Sequence, residues 1–230
     1  MSWIFDERAH AGLEHLTPEH VEAYDAKAQV EPAPDVQLLQ QLGLSHSQVL
    51  IDFGAGTGEF ALSAARVCGR VIAVDVSPLM LDVLRRKAEA RGITNVGCVE
   101  AGFLTYRHPG EPVDFVYSRN ALHHLPDFWK VEALRRIHRL LRPGGVLRLR
   151  DLVYGFGPEE MDERIGAWLQ AAPLTAAQGF PRSELEAHVR DEFSTYTWLL
   201  EVMLERAGFV VVESMCSASG IFAEYVCRKP

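Results

Sequence analysis

Three glycines alternate along Asp52-Phe-Gly54-Ala55-Gly56-Thr57-Gly58, directly after the apolar run Gln48 to Phe53. Glycine belongs where the backbone takes positive φ or lets a ligand come close. The spacing is G-x-G-x-G, not the G-x-G-x-x-G that cradles a pyrophosphate, and Glu59 and Phe60 stand where that pattern has its later positions. Asp52, two residues before the first glycine, would repel a pyrophosphate and suits a cationic group such as an amino-acid ammonium. Asp75 ends the next apolar run, in Val74-Asp75-Val76-Ser77. A carboxylate at that strand end can accept hydrogen bonds from both hydroxyls of a ribose; the alternative is an acid at a helix start. Together these residues ask for a ligand with a ribose, a positive end and no phosphate.

The surrounding elements must place those residues on one rim. Apolar runs at Gln48 to Phe53, Arg70 to Asp75, Val96 to Ala101, Val113 to Ser118 and Val146 to Val153 read as strands. Between them, Glu59 to Cys68 reads as a helix. A second follows the cap Ser77 and Pro78, with Leu81, Leu84 and Ala88 on one face and Gly92 after it. A third follows Asp127, with Val131, Leu134, Ile137 and Leu141 on one face, ended by Pro143-Gly144-Gly145. Such alternation predicts a Rossmann-like α/β fold, a doubly wound parallel sheet covered on both faces. Residues 155–192, interrupted by Gly and Pro, read as a helical insertion. Thr195 to Ala207 reads as a further helix. Phe209 to Ser214 and Ile221 to Arg228 are joined too tightly for a crossover and so form an antiparallel pair at the sheet edge. Residues 1–35 read as a helical lid on a domain of residues 36–230.

With its motifs in this order, the chain resembles the class I S-adenosylmethionine-dependent methyltransferases, and among them the small-molecule enzymes of ubiquinone and menaquinone biosynthesis. The resemblance rests on Asp52 to Gly58, Val74 to Met80, Asp114-Phe-Val-Tyr-Ser118 with Ala121-Leu-His-His-Leu125, and Leu141-Arg-Pro-Gly-Gly145. S-adenosylmethionine also meets the ligand description above. The resemblance implies a seven-stranded sheet with an antiparallel last strand and an in-line transfer of methyl to a small-molecule acceptor. The loop Gly54-Ala55-Gly56-Thr57-Gly58 would line the methionine part of the cofactor, and Asp75 would hold the ribose. Val76 and Met80 would pack on the adenine, and Ser118, Arg119 and Asn120 would lie under the sulfonium. Tyr24, in the lid, would stand near the cofactor carboxylate. The family often has an acid after the third strand for the adenine amino group; here the segment is Glu100-Ala101-Gly102-Phe103. Backbone groups of Ala101, Gly102 and Phe103 are therefore expected to read the adenine, with Phe103 as an apolar wall and Glu100 as the alternative acid.

An acceptor that must lose a proton calls for a base. His123 and His124 are the candidates, since imidazole titrates near neutrality. Against this, one of the pair can simply bond the backbone. Asp151 and Tyr154, at the end of the fifth strand, are further candidates, although Asp151 could merely pair with Arg148 or Arg150. Trp168, Phe180, Phe193, Tyr196 and Trp198 could wall an acceptor pocket or belong to a core. A cofactor-binding module without transfer and an NAD-dependent oxidoreductase are the competing functions; the glycine spacing and Asp52 oppose the second.

The 230 residues carry a net charge of −8, a poor partner for nucleic acid. Residues 1–35 hold eight acids (Asp6, Glu7, Glu14, Glu19, Glu22, Asp25, Glu31, Asp35) against two bases, and residues 130–150 hold seven bases against Glu132 alone. The basic run reads better as cations near a helix C-terminus than as a nucleic-acid patch. The four cysteines, Cys68, Cys98, Cys216 and Cys227, show no metal or disulfide spacing, so no metal is expected and a reducing cytoplasm fits. Met1 to His10 offers no secretory signal, and no apolar run is long enough for a membrane.

Overall fold

Val49–Phe53 forms β1, the central strand, because its apolar side chains, Val49, Leu50, Ile51 and Phe53, can be covered on both faces of a sheet. The computed structural model describes residues 3–12, 17–175 and 178–230, without the side chains of residues 19, 20, 22 and 23. Glu14 of the acidic segment, and the side chains of Glu19 and Glu22, thus lie outside the described residues.

After α1 (Pro18–Ala28) and α2 (Ala33–Gln41), β1 leads to α3 (Glu59–Ala64), β2 (Arg70–Asp75), α4 (Pro78–Ala90), β3 (Val96–Glu100) and β4 (Val113–Arg119). Then come α5 (Asp127–Leu140), β5 (Leu141–Tyr154), α6 (Met161–Gln170), α7 (Arg182–Asp191), β6 (Thr195–Tyr196), α8 (Thr197–Arg206), β7 (Val210–Cys216) and β8 (Phe222–Arg228). The sheet order is β3-β2-β1-β4-β5-β8-β7, with β6 paired to β5 off this path. β1 to β5 run parallel, and β8 is antiparallel to both β5 and β7. This is the expected doubly wound sheet with its antiparallel last strand. The order reverses between β1 and β4, and a crevice opens there at the carboxyl ends of the strands.

Both faces are covered. α2, α3 and α4 bury Leu39, Leu62, Leu81 and Leu84 on one side; α5 and α8 bury Leu134, Ile137, Leu200 and Leu204 on the other. Each such side chain contributes about 1.5–3 kcal/mol on burial. α4 begins as its sequence dictates: Ser77 Oγ accepts from Met80 N at 3.3 Å, and Pro78 opens the first turn.

Three boundaries differ from the sequence reading. α3 stops at Ala64, and 65–68 continue as turns. β5 begins at Leu141, so Pro143-Gly144-Gly145 lies inside a strand; Gly144 N donates to Lys229 O (2.8 Å) and Lys229 N to Gly145 O (3.0 Å), which extends the ladder. Thr195 and Tyr196 pair with Val153 and Tyr154 instead of opening α8. In the basic run, Lys130, Arg136, Arg142, Arg148 and Arg150 each meet a carboxylate of this chain. Those partners, more than the helix dipole, explain the cluster. Among the described residues no helix is long and apolar enough to cross a membrane.

Candidate functional site

The glycine turn sits on the rim between β1 and α3, with Gly54, Gly56 and Gly58 at φ 71°, 52° and 87°. A Cβ on Gly54 would lie 2.3 Å from Ala121 Cβ, and one on Gly58 2.3 Å from Leu84 Cγ, so these two glycines let the rim close-pack. Gly56 faces only Tyr24, at 3.8 Å. The Asp75 carboxylate anchors the turn: Gly56 N donates to Oδ2 and Ser77 N to Oδ1, both at 2.8 Å.

Two adjoining cavities open here, of about 220 and about 70 Å³, which share Tyr24, Gly54, Gly56, Arg119, Asn120 and His124. Asp52, Ala55, Thr57, Gly58 and His123 line the larger. Asp75, Val76, Ala101, Gly102 and Phe103 line the smaller, with Phe103 stacked on Phe53. Trp168 and Phe180 reach the larger cavity; Phe193, Tyr196, Trp198 and Tyr154 line neither. Met80 and Ser118 are wholly buried and also line neither. Glu100 lies outside as well, half-exposed and 3.3 Å from Arg8. Asn120 takes a left-handed φ of 50°, and its Oδ1 accepts from Arg150 Nη1 at 3.0 Å.

Glu7, which sequence reasoning passed over, enters the smaller cavity from the N-terminal arm. Its Oε2 accepts from Leu104 N at 3.0 Å, and burial raises its carboxyl above the usual range. A Cβ on Gly102 would lie 2.4 Å from that carboxyl group. Gly102, in the place of the missing acid, is therefore the seat of an acid delivered from 95 residues upstream. Only the acidity of residues 1–35 hinted at it.

Behind the larger cavity lies a cluster of buried titratable groups. His123 Nδ1 is 2.5 Å from Asp151 Oδ1, and His123 N donates to Asp151 Oδ2 at 3.0 Å. Asp151 thus pairs with His123, not with the neighbouring arginines, and it lines neither cavity. His123 Nε2 lies 3.2 Å from Glu192 Oε2, and His188 Nδ1 contacts the same oxygen. Burial lowers the His123 pKa, but the carboxylates of Asp151 and Glu192 outweigh it and push the group up to about 9. His188 and Glu192 were not singled out in the sequence; their i, i+4 spacing at the end of α7 was the available signal.

The roof is made by α1 and α7. Lys27 Nζ reaches Glu184 Oε1 at 2.7 Å, while Asp25 accepts from Thr57 Oγ1 and Lys87 Nζ, each at 2.5 Å.

Residues 50–145 match the methyltransferase domain family. Over 207 residues the chain is 33% identical to a malonyl-[acyl-carrier protein] O-methyltransferase of Yersinia pestis, covering 89% of this chain and 72% of that one. An uncharacterized methyltransferase of Geobacillus kaustophilus is 28% identical over 189 residues, 82% of this chain and 81% of that one. In fold, the chain is similar to a Haemonchus contortus phosphoethanolamine N-methyltransferase 2 solved with S-adenosyl-L-methionine (TM-score 0.74, 18% identity, 99% of this chain and 61% of that one). The chain belongs to the class I S-adenosylmethionine-dependent methyltransferases.

The residues of this methyltransferase fit that cofactor. Asp52 is almost wholly buried yet faces the larger cavity. Burial first, and the Asp75 charge second, raise its carboxyl well above the usual range. Such a group calls for a cation, which an amino-acid ammonium supplies. Among the described residues no lysine, and of the arginines only Arg119, lines the smaller cavity, so a nucleoside without phosphates suits it.

Proposed function

We propose that this methyltransferase acts on a small-molecule acceptor held in the larger cavity. The observation that supports this most is the roof: the Lys27–Glu184 pair joins α1 to α7 above a space of about 220 Å³, which suits a compact acceptor better than a macromolecular surface. Trp168, Phe180 and Phe222 offer it apolar walls.

The cofactor supplies a methyl group already activated on a sulfonium. The work left to the chain is to position the reactants and keep water out, worth up to roughly 7–11 kcal/mol for well-held partners. In this reading Asp52 takes the ammonium and Asp75, its carboxylate fixed by two amides, takes the ribose hydroxyls. Gly54 to Gly58 give backbone to the methionine part, with Tyr24 closing over Gly56. Ala101, Gly102 and Phe103 frame the adenine, and Glu7 supplies the acid that the segment after β3 lacks. Arg119 and Asn120 stand where the two cavities meet. Both nitrogens of His123 are engaged by carboxylates, so neither is offered to an acceptor proton. His124, on the wall of both cavities, is the histidine placed to take one. The Yersinia relative is named for an oxygen acceptor, in keeping with a wall of imidazoles.

Calorimetry with S-adenosylhomocysteine and NADH, followed by a panel of small acceptors read by homocysteine-product release, tests the reading. Binding of the former alone and turnover with a free small acceptor are expected. Turnover only on a carrier protein or RNA would overturn it. Asp75→Ala should weaken cofactor binding about 10- to 100-fold through loss of charge-assisted hydrogen bonds; unchanged affinity would remove the ribose assignment.

A further inference from the structure

His123 Nε2, His188 Nδ1 and Glu192 Oε2 come from three separate places, the turn after β4, the last turn of α7 and the residue after it. All three atoms lie within 4.8 Å of one another. His123 is held with Nδ1 toward Asp151, and His188 with Nε2 toward Ser194 Oγ at 2.9 Å, so each ring turns its other nitrogen to the same carboxylate oxygen. Three such atoms converge only where protons or a metal cation stand among them. Glu192 Oε2 is buried and makes no aligned hydrogen bond to either ring.

We propose that His123, His188 and Glu192 form a binding site for a single divalent first-row transition-metal ion, with its open positions toward the larger cavity. Two imidazoles and one carboxylate are ligands for zinc-like or iron-like ions, whereas magnesium and calcium prefer oxygen alone. Ligands about 2.1 Å from a tetrahedral ion stand roughly 3.4 Å apart. His123 Nε2 and Glu192 Oε2 already lie at 3.2 Å. Asp151 and Ser194 occupy the outer positions that orient metal-bound histidines. Phe193 N donates to His123 O at 3.0 Å, which ties the Glu192 segment to the His123 turn. His123, His188 and Glu192 all line the larger cavity, so the open positions would face an acceptor oxygen, a hydroxyl or a carboxylate. The competing state is a doubly protonated His123 clamped between Asp151 and Glu192, with no metal.

The test is titration of the chelator-treated full chain with Zn²⁺ and, by its d–d absorption, with Co²⁺. His188→Ala and Glu192→Gln are run beside it, with S-adenosylhomocysteine affinity as the check that each variant is folded. One ion per chain, bound about tenfold or more weaker in both variants while the nucleoside still binds, is the expected result. Equal binding by wild type and variants, or no binding of either ion, overturns the proposal. Because nucleoside binding is read separately, those outcomes leave the methyltransferase reading standing. Should His188→Ala lose the nucleoside as well, the isosteric Glu192→Gln decides.

Discussion

β5 sends buried charge to both faces of the sheet, and the two faces treat it differently. On the face of α2 to α4, Arg148 meets Asp35 at 2.8 Å and also Glu224, while Asp35 accepts from Tyr117 Oη at 2.8 Å. Arg148, Asp35 and Glu224 are thus answered by one another within the chain. On the opposite face and along the rim, Asp151 pairs with His123, but the chain of contacts runs on to Glu192, and Asp52 and Glu7 stop at a cavity wall. Balanced charge holds elements together. Charge left facing a cavity costs stability and is kept where a ligand can answer it.

Six substitutions at five positions would break or sharpen that contrast. Arg148→Met removes the cation that Asp35 and Glu224 share and should cost about 3–5 kcal/mol in denaturant unfolding, with cofactor affinity of the folded chain unchanged. Asp151→Asn leaves His123 one carboxylate and should cost about 1–3 kcal/mol, again with cofactor affinity held; a loss of affinity would move Asp151 into the cofactor site. Asp52→Asn should invert the pattern: about tenfold weaker cofactor binding in calorimetry, yet a higher Tm. The sign follows from the raised carboxyl. The unfolded chain ionises Asp52 first, so wild-type stability falls as pH climbs from the ordinary carboxylate range through the folded value. The variant's advantage should be absent in acid and grow toward neutrality; a lower Tm at every pH would contradict it. Glu7→Ala should weaken cofactor binding roughly fivefold, Glu7→Gln hardly at all, and Gly102→Ala as much as Glu7→Ala, since its Cβ evicts the carboxyl.

What the sequence announced was local. β1, the glycine turn, Asp75 and the Ser77 cap are each written in a few consecutive residues. Glu7 reaches Leu104 across 97 positions, and His123 meets His188 and Glu192 across another long interval. No short pattern records such meetings; they exist only once the sheet brings its rim together. Met80 failed for a related reason. Its helix position was right, but which way a side chain turns at a first helical turn depends on the strand beneath it. Thr195 and Tyr196 were drawn from helix to strand by the end of β5, an edge that does not exist in the sequence.

The bond between Lys27 and Glu184 joins residues 157 positions apart. Grafting an arm or an insertion from a relative would therefore bring half of a latch. Recombination of such enzymes would have to move the two segments together, and natural drift in one should be answered by change in the other.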